Sequence, residues 1–427
     1  MELTSFAIMR RRLRQATLLT LCVLAMMMSR PPQALADPDS GATFGADLAF
    51  LRQHTPVVVI GEPGGAQLAV APAWQGRVMT SSAQGESGRS LGWINRKLIV
   101  SGAVLAHFNP FGGEDRLWLG PEGGQYSIYF APGAPFDLEH WFVPKAFDTL
   151  GFQPTEQAKD HATFAAAFEL MNRAGTHFKV RIQRRVQLLE AEKTWQMLSV
   201  TPMRGISLVA FETRNTLTNA GETPWKKASG LLSVWILGMF NPSPEAVIAI
   251  PLRSSAQSDP GQGVTTDYFG SIPADRLQVT DKALLLRADG QFRSKVGIGP
   301  GRSLAKLGAY DALHHVLTIV QFEQPAGVTD YVNSLWREQT DPFGGDAVNA
   351  YNDGPPAPGK PSMGPFYELE SSSPAAALAP GESLTHVHRT VHILGSQEQL
   401  DRVARTVLGL SLAEIRPGVG KQSAAAH

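Results

Sequence analysis

From residue 57 to about residue 395 the chain is a succession of short β-branched or aromatic runs, each closed off by glycine or proline. That punctuation restricts it to turn-rich β structure. "VVVIG" at 57–61, "KLIVSG" at 97–102, "RLWLG" at 116–120 and "YSIYF" at 126–130 each read as a strand, the last two as a hairpin joined by "PEGG". Forty-one glycines and thirty prolines supply the connections, glycine by entering positive φ and proline by holding φ fixed. "THFKVRIQRRVQLL" sets Phe178, Val180 and Ile182 against Lys179, Arg181 and Gln183, the period-2 pattern of a half-buried strand. "ISLVAFETRNTLTN", "HHVLTIVQFE" and "FYELESS" continue it. Helical spacing is confined to "ADLAFLRQHT", 159–174, 328–339 and 396–416. No linker or fixed-period repeat divides the β region. The expectation is an all-β chain: one sandwich of large antiparallel sheets over 37–395 with a few peripheral helices, then a helical segment and frayed tail over 396–427.

With 38 basic and 38 acidic side chains there is no net charge and no basic stripe beyond the extreme N-terminus, so nucleic acid is not an expected partner. Residues 1–36 read as an export signal: Arg10 to Arg14, an apolar run from Ala16 to Met28, then Ala34-Leu35-Ala36. The run is too short for a permanent membrane span. Its removal takes away Cys22, the only cysteine, leaving no disulfide and no thiol nucleophile. A periplasmic or secreted bacterial protein, not inserted in a membrane after cleavage, is expected.

"FYELESSSPAAALAPGESLTHVHRTVHI" resembles the C-terminal strands of the galactose mutarotase-like (aldose epimerase) superfamily, in which a strand glutamate precedes a proline by four residues and a Leu-x-Pro-Gly-Glu turn follows. The matching residues are Glu370, Pro374, Leu378, Pro380, Gly381 and Glu382. "VAFETRNTLTNAGETPW" at 209–225 is similar to that superfamily's strand ending in Asn-x-Gly before a proline. The resemblance implies a supersandwich, a mono- or oligosaccharide ligand and Glu370 as base. Where the family carries its acid histidine this chain has "GLLSVWILGMFNPSP", with no histidine between His177 and His314.

A substitute acid is therefore sought elsewhere. On a strand over 384–394, His386, His388 and His392 share one face while Val387, Val391 and Ile393 share the other, which should meet the core; Arg389 on that apolar face needs a partner. Glu368 and Glu370 share a face of the preceding strand, which could lie alongside. Three readings stay open for the histidines: ligands of a metal, partners of Glu370 in acid/base chemistry, or a polar strand face. No metal or cofactor is assigned. "HFNPFGGEDRLWLG" adds His107 as another candidate acid, with Glu114, Arg116 and Trp118 as sugar-contacting groups. Tyr351 and Asn352 join Glu368 as binding residues beside the Pro/Gly-rich loop at 352–365. His314 and His315, on a strand, would point to opposite faces. The chemistry would be epimerase or lyase-like proton transfer; the alternative is a non-catalytic carbohydrate-binding or cell-envelope protein on the same fold.

Overall fold

A computed structural model describes residues 42–254, 261, 263–357 and 359–416. The export signal read over 1–36 and the tail beyond 416 lie outside the described residues. The chain is all-β in the expected sense, built from antiparallel sheets. Ten strands run in the order Leu277–Val279, Ala283–Arg287, Ala246–Pro251, Lys306–Asp311, Val316–Phe322, Ser383–Leu394, Ser207–Asn219, His177–Leu188, His161–Met171 and Gln153–Gln157. Six more run Val264–Thr265, Ser294–Ile298, Val348–Asn352, Tyr367–Ser372, Ser233–Phe240 and Arg116–Gly120. A small third sheet joins Val58–Ile60, Gln67–Ala71 and Arg77–Ser82.

The alternation read in "HFKVRIQRRVQL" is realised strand-long, with Phe178, Val180, Ile182 and Val186 sealed inside. Between the large sheets, Tyr367 and Leu369 pack with Ile248, Leu286, Val320 and Phe322. The helix Gln397–Leu408 lies on the outside of the ten-stranded sheet, its Leu400, Val403 and Val407 packed with Val391 and Ile393. Ser396 caps it: its hydroxyl accepts from the Gln399 amide while the Gln399 side chain accepts from the Ser396 amide. Ser396→Ala is expected to cost about 1 kcal/mol, read as a lower midpoint in urea unfolding. Among the described residues no helix is long and apolar enough to cross a membrane.

Several local expectations are corrected. Residues 161–171 form a strand, not a helix, paired to Gln153–Gln157 and His177–Leu188. Their alanines imitated helix propensity, but Ala162, Phe164 and Leu170 are buried at even positions, which serves a sheet. Residues 328–339 are not helical; their backbone is spent on the 342–345 stretch, through Tyr331 N–H to Phe343 O at 2.9 Å and Asn333 N–H to Pro342 O at 3.0 Å. "KLIVSG" lies in a short helix, Arg96–Ser101, started by the Asn95 side chain and ended by left-handed Gly102, a capping pattern. Residues 126–130 are not a strand, so the hairpin is absent; Arg173 N–H instead takes the Ser127 carbonyl at 2.7 Å. His314 and His315 sit in the turn between two strands, His315 at φ 53°.

Candidate functional site

Alternation along Tyr367–Ser372 separates the residues that the sequence suggested might act together. Ser371 points between the sheets, where its hydroxyl meets His386 Nε2 and His388 Nδ1, each at 2.8 Å. Glu368 and Glu370 must then point to the opposite face. The strands Tyr367–Ser372 and Ser383–Leu394 are not neighbours; they belong to different sheets.

On that opposite face lies a pocket with about 510 Å³ of empty space, counting its open mouth. The six-stranded sheet forms its floor. Strand Arg116–Gly120 sends up Arg116 and Trp118, Ser233–Phe240 sends Trp235, Ser294–Ile298 sends Lys295, and Tyr367–Ser372 sends Glu368. Arg116 donates to Glu368. Glu370, fully buried behind this layer, accepts from Trp235 Nε1 at 2.9 Å and meets Lys295 Nζ at 3.2 Å. Lys295 Nζ also stands 4.4 Å from the Trp235 ring centroid, and the Arg116 guanidinium carbon 4.7 Å from that of Trp118, both within cation–π reach.

Loops complete the walls. Trp141 and Trp336 stack with centroids 5.8 Å apart, and Phe269 meets Trp336 edge-on. The segment carrying Trp336 is strapped to the loop after Gly120: Gln125 Nε2 donates to Gln339 O at 2.9 Å, and Gln339 N donates to Gln125 Oε1 at 3.1 Å. Gly123 is required beneath the strap, since a Cβ there would lie 2.3 Å from the Leu335 carbonyl oxygen.

Burial sets the electrostatics. It pushes Glu368 up to about 8, opposed by Arg116 and reinforced by Glu370. It lifts Glu122 too, with Lys295 opposing. For Lys295, burial acts downward but the carboxylates of Glu370, Glu122 and Glu368 outweigh it, so the ammonium is held above its ordinary range. Several polar atoms here have no hydrogen-bond partner among the described residues: Arg116 Nε and Nη1, Trp118 Nε1, Trp141 Nε1 and Glu370 Oε1.

The structure thus brings Glu368, Arg116, Trp118 and Tyr351 to one pocket with Glu370 directly behind it. The other sequence candidates do not join them. His386 and His388 are sealed between the sheets, because the even face of their strand is turned inward and the odd, apolar face is covered by the C-terminal helix. His392 is in the same interior, with Nε2 2.7 Å from Glu114 Oε2 and Nδ1 2.9 Å from Thr318 Oγ1. Glu114 is therefore an interior group, which also accepts from Ser81 Oγ at 3.0 Å. Asn352 anchors a turn, accepting from Gly290 N at 2.9 Å and donating to Phe292 O at 2.9 Å. His107 stands outside the pocket lining, its Nδ1 2.7 Å from Trp141 O and its ring stacked on Phe142. Arg389 finds its partners in Glu212 and Glu323. Among the described residues no three or more His, Cys, Asp or Glu side chains gather as metal ligands.

Sequence reading missed Lys295, Trp235 and Trp336. Trp235 and Lys295 lie on strands of the same sheet as Glu370, and a tryptophan or lysine in a wholly buried strand is the signal that could have found them.

Among solved structures the chain is similar to a candidate aldose 1-epimerase from Escherichia coli K12, at 14% identity over 79% of this chain and 99% of that one, with a TM-score of 0.47. It is similar also to a galactose mutarotase-like protein from Lactobacillus casei ATCC 334, at 11% identity over 79% of this chain and 100% of that one (TM-score 0.42). A galactose mutarotase related enzyme from Lactobacillus acidophilus aligns at 10% identity over 79% and 97% of the two chains (TM-score 0.42). No curated protein matches the sequence. The pattern of one described family matches residues 42–418, nearly the whole chain outside its two ends, and the protein therefore belongs to the family of unknown function DUF6786.

Proposed function

We propose that this protein binds a mono- or oligosaccharide in the aromatic-walled pocket, and does so outside the cytoplasm, where the export signal read at its N-terminus would send it. The observation that carries the reading is the coincidence of unspent hydrogen-bonding atoms with indole rings in one pocket lining. Arg116, Trp118 and Trp141 hold donors without partners, and Glu370, behind the floor, an acceptor, beside the indole rings of Trp118, Trp141, Trp235 and Trp336. A buried polar atom left unpaired costs about 1–3 kcal/mol. A sugar supplies hydroxyls for such atoms and apolar C–H faces for the rings. The lining sets three cations, Arg116, Arg293 and Lys295, against the carboxyls of Glu368 and Glu122, with Glu370 behind them.

A catalytic extension is favoured by one observation, the buried carboxyl of Glu368, held near 8 and facing the pocket. A carboxyl that keeps its proton near neutral pH is suited to general-acid duty. In this reading Glu368 protonates the ring oxygen while the unpartnered Oε1 of Glu370 takes the proton of the anomeric hydroxyl, so that the bond from C1 to the ring oxygen breaks as the C1 carbonyl forms.

A panel of hexoses and oligosaccharides, followed by ligand-observed NMR, tests both. Binding that weakens about tenfold in Trp336→Ala is the expected result. No saturation transfer to any sugar would remove the proposal. Anomeric exchange or unsaturated product that falls about a hundredfold or more in Glu368→Gln, with binding retained, identifies an enzyme. Binding without turnover in the wild type identifies a carbohydrate-binding protein.

A further inference from the structure

Deepening the carbohydrate reading, on which it rests, we infer that the ligand carries an apolar group beside its sugar, so that the natural partner is a glycoside with an apolar aglycone rather than a free sugar. The pocket is graded. Its floor holds Arg116, Lys295 and Glu368, all nearly inaccessible to solvent. Its walls are indole and phenyl rings, with the Arg293 guanidinium 3.6 Å from the centroid of the wall ring Phe269. Its mouth includes Leu138 and Met363, which line the pocket yet are 46% and 38% exposed.

The rim continues outward from the wall. Phe142 follows the wall residue Trp141 in sequence, stacks on His107 with ring centroids 4.1 Å apart, and is still 45% exposed. Val143 N–H to His107 O at 2.8 Å, with His107 Nδ1 at Trp141 O, ties the two segments together and fixes that stack. Scattered apolar side chains on a surface need no explanation, whereas apolar groups gathered at the mouth of a pocket mark a binding surface. A free hexose seated on the floor would leave Leu138, Met363 and Phe142 in water. A glycoside entering sugar first would place its aglycone against them, and each methylene so buried strengthens binding by a few-fold.

The test titrates the full-length protein with glucose, galactose and mannose, with the hexyl β-glycoside of each below its micelle concentration, and with 1-hexanol, reading tryptophan fluorescence and heat. A hexyl glycoside is expected to bind at least tenfold more tightly than its parent sugar, and far more tightly than 1-hexanol. Leu138→Asp/Met363→Asp, substitutions at exposed positions, is expected to abolish that advantage while leaving the affinity for the free sugar within about threefold. Equal affinity for sugar and glycoside overturns the inference and leaves the carbohydrate reading standing. Binding of 1-hexanol as tight as the glycosides, with no free sugar bound, overturns the carbohydrate reading, and the inference with it; so does the absence of any binding. A wild type that is dimeric by light scattering and made monomeric by the double substitution, with no glycoside preference, assigns the rim to a second copy and overturns the inference.

Discussion

Asp115→Ala is expected to destabilise the fold by about 3–5 kcal/mol, the effect of leaving a buried guanidinium without its counter-charge. Asp115 and Arg184 are both inaccessible to solvent and paired through Oδ1 and Nη2. Around them Arg184 Nη1 donates to Asn215 Oδ1 at 2.6 Å, Nε to Gly76 O at 3.0 Å, and Thr213 Oγ1 to Asp115 Oδ2 at 3.0 Å. The pair therefore joins the ten-stranded sheet to the start of the strand that delivers Arg116 and Trp118 to the pocket. Urea unfolding followed by circular dichroism measures the loss. Asp115→Ala combined with Arg184→Met removes both charges and is expected to recover a good part of it. A single substitution costing less than about 1 kcal/mol would show that solvent reaches the arginine.

The second large effect is on acid stability. His386 and His388 are buried facing Ser371. Burial is the main reason that the first is pushed down to about 3 and the second to about 4. For the first the imidazole of His388 adds to the depression; for the second Asp115 opposes it. Unfolded histidine titrates near 6.5, so below that pH the unfolded chain binds protons that the folded chain refuses, and stability falls as pH falls. Each imidazole contributes a loss of about 2 kcal/mol between pH 7 and pH 5. Carboxyls raised by burial act with the opposite sign: Asp346 and Asp353, both near 6, and Glu368 take up protons in the fold and gain stability over part of the same range. The histidine term is therefore read as a difference. The stability advantage of wild type over His388→Gln is expected to shrink by about 2 kcal/mol from pH 7 to pH 5. An advantage that does not change with pH would mean His388 is already solvated or charged in the fold.

These two interior networks show where reading the sequence stops. The heavy glycine and proline content and the period-2 runs made the β class legible, and Phe178, Val180 and Ile182 are buried while Lys179, Arg181 and Gln183 are exposed, as the alternation predicts. The alanine-rich stretch at 161–171 misled because helix propensity is a local quantity, while its pairing with strands on both sides is a tertiary one. The floor of the pocket was half legible. Glu368, Glu370, Arg116 and Trp118 stand in strand segments dense in charge and aromatics, whereas Lys295 and Trp235 come from segments with no such signature. Trp336 arrives on a loop held by Gln125 and Gln339, an attachment that spans more than two hundred residues of sequence and leaves no local trace.

By itself the sequence determined that the chain is built of antiparallel strands, that Glu368 and Glu370 share one face of a late strand, and that His386, His388 and His392 share one face of the next. Only the tertiary structure decided that Glu368 lines an aromatic pocket with Glu370 buried behind it, while the imidazoles are shut between the sheets. Alternation assigns side chains to two faces, but which face is covered depends on the sheet each strand joins and on what packs against it. Here the two strands joined different sheets, and the Gln397–Leu408 helix closed over the apolar face that the sequence had pointed toward the core.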